Sequence, residues 1–134
     1  MLGCKLAWGV EIDQGRTDSA RDALCMLQAG YAEDPTVACK LKHVKYTCAD
    51  AGSLASLRGV EFIYNFDLSH QPAYFRNLDV LWRQAPSIKG MVSFRSPLKL
   101  AERGFKSGAC VGRLRVKQAG VGGGSHYAYL YKRA

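Results

Sequence analysis

Residues 6–13 read Leu6-Ala7-Trp8-Gly9-Val10-Glu11-Ile12-Asp13. A short stretch, apolar apart from Gly9, runs into the carboxylate of Glu11, and a segment with helical spacing follows from Thr17 to Ala29. A buried strand that ends in an acid and turns into a helix is the second βα unit of many nucleotide-binding sheets. There the acid accepts hydrogen bonds from a pair of ribose hydroxyls. Glu11 therefore has two readings, a ribose acceptor or the first polar residue after a core strand.

Working outward, Lys5–Ile12 is expected as a strand, with Trp8, Val10 and Ile12 suited to it. Thr17 or Asp18 can cap the following helix, whose Ala20, Ala23, Leu24 and Leu27 recur at helical spacing and which Gly30 ends. Tyr31–Pro35 is expected as a loop. A second strand is best placed at Val44–Cys48, before the turn Ala49-Asp50-Ala51-Gly52, with a helical turn over Ser53–Leu57. Gly59–Phe66 reads as the clearest buried strand, closing on Asn65, Phe66 and Asp67. Pro72 then sits in the first turn of a helix whose core stripe is Phe75, Leu78, Leu81 and Trp82. Ile88–Phe94 is a further strand, and Leu98–Arg103 a single helical turn. Val111–Gln118 and His126–Lys132, joined across a glycine-rich linker, read as an antiparallel hairpin.

Alternation of this kind predicts an α/β fold: a mostly parallel, doubly wound sheet with a C-terminal antiparallel hairpin. A nucleotide-binding sheet begins with a strand and a glycine-rich turn, and only five residues precede Leu6. The expectation is a single domain over residues 1–134 whose first βα unit is missing.

The formal charge is +8 and unevenly spread. Residues 1–50 carry six Lys/Arg against seven Asp/Glu, whereas beyond Asp79 there are eleven Lys/Arg and one acid, Glu102. A basic half of this kind suggests a polyanionic partner, or else a solvated face without one. No apolar run approaches the ~20 residues that span a bilayer, and no secretory leader is visible. Five cysteines without a Cys-x-x-Cys pair argue against a disulfide framework or zinc knuckle, so a reduced, intracellular chain is expected.

In open α/β sheets, ligands gather outside the carboxyl ends of the strands. Glu11, Asp50, Asn65-Phe66-Asp67 and Arg95-Ser96-Pro97 occupy those positions. Asp50 could accept from an adenine amino group, or serve as a turn aspartate. Asn65 could orient a reacting amine with its carbonyl, or be a structural strand-end amide. Gly120–Gly124 reads as a hairpin turn rather than a phosphate cradle, since no helix follows it. His43, His70 and His126 lack ligand spacing, so no metal is expected. No Gly-x-Ser-x-Gly elbow supports nucleophilic hydrolysis. Tyr127, Tyr129 and Tyr131 fall on one face of the last strand, for packing or for lining a pocket.

Gly3-Cys4-Lys5-Leu6-Ala7-Trp8-Gly9-Val10-Glu11 resembles the second-strand segment of the non-SET histone-lysine methyltransferases, the disruptor-of-telomeric-silencing family. Cys48-Ala49-Asp50 is similar to that family's Gly-Asp turn, and Val60-Glu61-Phe62-Ile63-Tyr64-Asn65-Phe66 to its strand ending in two asparagines and a phenylalanine. The hairpin Leu114–Arg133, with Tyr129-Leu130-Tyr131, is similar as well. The resemblance implies the seven-strand S-adenosylmethionine-dependent fold and methyl transfer to a lysine of a nucleosomal core histone; the alternatives are a methyltransferase of another substrate such as RNA, or a catalytically incomplete remnant that binds a polyanion. It implies that Glu11 holds the ribose, that Asp50 and Ala51 adjoin the adenine, that Asn65 and Phe66 lie by the methyl group, and that Tyr129 lines the lysine channel. Contact with nucleosomal DNA through the basic half and a nuclear location (cytoplasmic as the alternative) follow from the same likeness. Three features depart from the family's pattern: its Asp-x-Gly-x-Gly turn is absent, Tyr64 replaces the first asparagine, and Ala51 stands where an aromatic covers the adenine.

Overall fold

The computed structural model describes residues 5–117 and 124–134. Among the described residues, six strands and four α-helices form an α/β arrangement with one parallel and one mixed sheet. The chain divides into two compact units, residues 1–51 and 52–134.

In the first unit, β1 (Ala7–Glu11) pairs in parallel with β2 (Val44–Cys48). Gly9 lies opposite Tyr46, whose ring covers it: a Cβ at Gly9 would stand 2.6 Å from the ring. Only glycine allows that approach. Between the strands run α1 (Gln14–Gly30) and α2 (Pro35–Leu41). Asp13 caps α1 by accepting from Arg16 N, so the helix starts before the expected cap at Thr17 or Asp18. Thr17 is instead buried inside the first turn, its hydroxyl donating to the Asp13 carbonyl at 2.9 Å. α2 was not expected from the sequence, yet its signal is present. Asp34 accepts from Thr36 N and Val37 N, and Pro35 fills the first helical position, where its missing N–H costs nothing.

The second unit is built on the sheet order β3-β4-β6-β5. β3 (Phe62–Asn65) and β4 (Gly90–Ser93) are parallel, while β6 (Ser125–Arg133) runs antiparallel to both β4 and β5 (Gly108–Lys117). The hairpin reading of the C-terminal strands holds, with a register shift between Cys110 and Gly112. The Gly120–Gly124 turn lies almost wholly outside the described residues. α3 (Pro72–Gln84) packs Phe75, Leu78, Leu81 and Trp82 against Met91 and Tyr131, as its stripe predicts, with Ile88, Leu100 and Phe105 completing the core. α4 (Pro97–Glu102) is capped by Ser96.

The expected buried strand at Gly59–Phe66 is shorter and much more open. Phe62 and Tyr64 are 65% and 72% exposed, while Ile63 packs on the core and Asn65 is buried. β3 is an edge strand, and its alternate residues point away from α3. An apolar run that alternates in this way buries only every second residue.

Candidate functional site

The carboxyl ends of the parallel strands carry the polar residues singled out in the sequence. In the first unit, Glu11 pairs with Cys48 in the parallel register, and Ala49 N donates to the Glu11 carbonyl at 2.9 Å. Glu11 and Asp50 therefore share one rim, with Ala51 directly after. The Glu11 carboxylate accepts from Asp13 N at 3.1 Å and faces the exposed guanidinium of Arg16 at 3.9 Å. A carboxylate offers about four lone-pair sites. One backbone N–H and a solvent-screened ion pair leave it able to accept further hydroxyl donors.

In the second unit, Asn65 pairs with Ser93, and Ser93 with Tyr129, so the three form a row across β3, β4 and β6. Tyr129 thus shares the rim with Asn65, two strand spacings away, roughly 10 Å. Asn65 is buried and committed: Tyr74 donates its hydroxyl to the Asn65 side-chain carbonyl at 2.9 Å, and the Asn65 amide donates to Asp67 at 3.3 Å. Burial, with the nearby Asp67 carboxylate, pushes the Tyr74 phenol well above its ordinary value, so it remains a neutral donor.

Asp67 is the hub of this rim. It is fully buried and accepts from Ser93 Oγ at 2.5 Å, from Phe94 N at 3.1 Å and from Asn65. Its backbone carbonyl takes Arg95 Nε at 3.0 Å, and the Arg95 guanidinium also reaches the Leu68 carbonyl. A buried carboxylate is costly unless its lone pairs are met, and here they are. The network locks the loop after β3 to the end of β4. Sequence reasoning placed Asp67 at a strand end without giving it this role, and passed over Ser93 and Tyr74. The Asn-x-Asp spacing beyond β3 was the available signal.

Two surfaces flank the hub. Phe94 meets Phe66 edge-on at 4.9 Å between ring centroids and Tyr64 at 6.0 Å, forming an aromatic cluster that is largely open to solvent. Phe94 also joins Arg95, Lys99, His126, Tyr127 and Tyr129 around an open cleft of about 330 Å3. Tyr129 is therefore a cleft wall, and its neighbour Tyr131 is core. Among the described residues no group of three metal-ligating side chains occurs, and no helix is long and apolar enough to cross a membrane.

No protein-family model, curated protein or solved structure matches this chain.

Proposed function

We propose that the chain is part of an S-adenosylmethionine-dependent methyltransferase acting on a protein lysine, with a nucleosomal core histone as the substrate and the nucleus as its place of action. The observation that carries the reading is the shared rim of Glu11 and Asp50, set by the parallel Glu11–Cys48 register. Strand order adds support. A doubly wound sheet ordered 3-2-1-4-5-6, taken without strand 1, leaves a parallel pair 3-2 and a second piece that opens 4-5. The sheets here are a parallel pair β2-β1 and a piece that opens with the parallel pair β3-β4.

Glu11, with acceptor capacity to spare, would hold the ribose hydroxyls, and Asp50 the adenine amino group beside Ala51. S-adenosylmethionine supplies an electrophilic methyl group on a sulfonium. The protein's part is alignment, which requires no nucleophile of its own. Asn65, fixed by Tyr74 and Asp67, would keep the strand end rigid beside Phe66. The ring faces of Phe66 and Phe94 suit a cationic sulfonium or a lysine side chain. An apolar wall also favours the neutral amine that must attack. The cleft on the Tyr129 side carries Arg95 and Lys99, so a lysine is better received at the Phe66–Phe94 side, with Tyr129 marking the border of the channel.

Calorimetric titration of S-adenosylmethionine tests the reading. Binding that Glu11→Ala weakens at least about tenfold, worth about 1.4 kcal/mol, supports it. Equal affinity in wild type and variant removes the ribose role, and the absence of any binding heat overturns the assignment.

A further inference from the structure

We infer that the cleft between Phe94 and Tyr129 is a binding site for single-stranded nucleic acid, taking a base on its tyrosines and phosphates on the surrounding cations. The inference is independent of methyl transfer. Its first support is the pairing of aromatic faces with positive charge. Tyr127 is 45% exposed, and its ring lies beside Tyr129, centroids 6.4 Å apart, with Phe94 also lining the cleft. Open tyrosine rings attached to a sheet are platforms on which any base can stack.

The second support is the state of the cations. Arg95 is held by two backbone carbonyls, and Arg115 donates to Ser125 Oγ at 2.9 and 3.1 Å. Arg113, opposite Tyr129 in the hairpin register, sits over the Tyr127 ring at 5.1 Å. Neutral partners orient a guanidinium without cancelling its charge. Lys99 alone is paired with an acid, Glu102 at 2.9 Å. That pair is exposed and i,i+3, so it holds the ammonium weakly and can yield it to a phosphate. Arg95 and Lys99 line the cleft, and Arg113 and Arg115 stand beside its tyrosines on β5, so the positive charge around these rings disfavours a lysine and suits a polyanion.

The choice of a single strand follows from the tyrosines. A duplex hides its base faces and meets a protein through phosphates and groove edges, whereas Tyr127 and Tyr129 offer flat ring surface. The Arg113 guanidinium, lying over one face of Tyr127, adds positive charge directly beside the ring.

The test is fluorescence anisotropy with a labelled 12-nucleotide oligouridylate and a 12-base-pair DNA duplex, across a salt series and without S-adenosylmethionine. A failed cofactor titration therefore leaves this result intact, and the reverse also holds. The wild type is expected to prefer the single strand. Tyr127→Ala should weaken it at least about fivefold, while Tyr127→Phe, which keeps the ring, stays close to wild type. Arg113→Gln should lower the slope of log affinity against log salt by about 0.7. Far-ultraviolet circular dichroism of each variant confirms that the exposed substitutions leave the fold in place. No binding by the wild type, equal or tighter binding of the duplex, or an unchanged affinity in Tyr127→Ala would each overturn the proposal.

Discussion

The Asp79 carboxylate, on α3, accepts the backbone N–H groups of both Lys106 and Ser107 through one oxygen, at 2.7 and 2.8 Å. It thereby ties the helix to the chain just before β5. Burial alone would raise its carboxyl pKa, but the N–H groups of Lys106 and Ser107, with Arg83 nearby, hold it below the ordinary value. A carboxyl whose folded pKa is depressed contributes stability above its unfolded value, about 3.9, and loses it as pH falls through the lower folded value. Asp79→Asn is therefore expected to cost roughly 1–2 kcal/mol at pH 7. The gap between wild type and variant should narrow below about pH 4. Urea midpoints at pH 7 and pH 3 measure it, and a gap that widens in acid would contradict the assignment.

Gly9 and Tyr46 form a second testable pair. A methyl at residue 9 would overlap the tyrosine ring, so Gly9→Ala should destabilise the first unit by roughly 1–3 kcal/mol. Removing the ring first abolishes the clash. In a double-mutant cycle, Tyr46→Ala should cancel most of the cost of Gly9→Ala. Additive effects in denaturant titrations would show that the ring moves aside freely.

Trp82 is fully buried in the core, and its indole N–H has no hydrogen-bond partner among the described residues. An unmet buried donor costs roughly 1–3 kcal/mol. Trp82→Phe removes that donor while leaving a void, and the two effects oppose each other. Its net change is expected to stay within about 1.5 kcal/mol, well short of the roughly 3–5 kcal/mol for Phe75→Ala in the same core. Comparable losses in thermal melts of the two variants would show that packing around the indole outweighs its polar defect.

Element order was legible wherever periodicity and side-chain size agreed. The α3 stripe and the β5–β6 hairpin were read correctly because a 3.6-residue repeat and a 2-residue repeat over long segments admit few alternatives. The seven-residue α2 was missed because it is too short to show a repeat, although the Asp34-Pro35 cap announced it. Exposure of β3 was misjudged for a different reason. Phe62, Tyr64 and Phe66 look like core by composition, and only the tertiary packing, which covers the Ile63 and Asn65 face of β3, decides that they are open. The rim residues Glu11, Asp50 and Asn65 could be named from strand ends alone. The Tyr127–Arg113 stack and the cleft could not, because both depend on cross-strand register, which no local pattern specifies.

The Arg133 guanidinium donates to the carbonyls of Trp82 and Ala85 at 2.5 and 2.6 Å, where α3 runs out of partners of its own. This makes residue 133 a clasp on the main helix, reached from the end of β6. Arg133→Gln should loosen α3 before it disturbs the hairpin that carries the arginine.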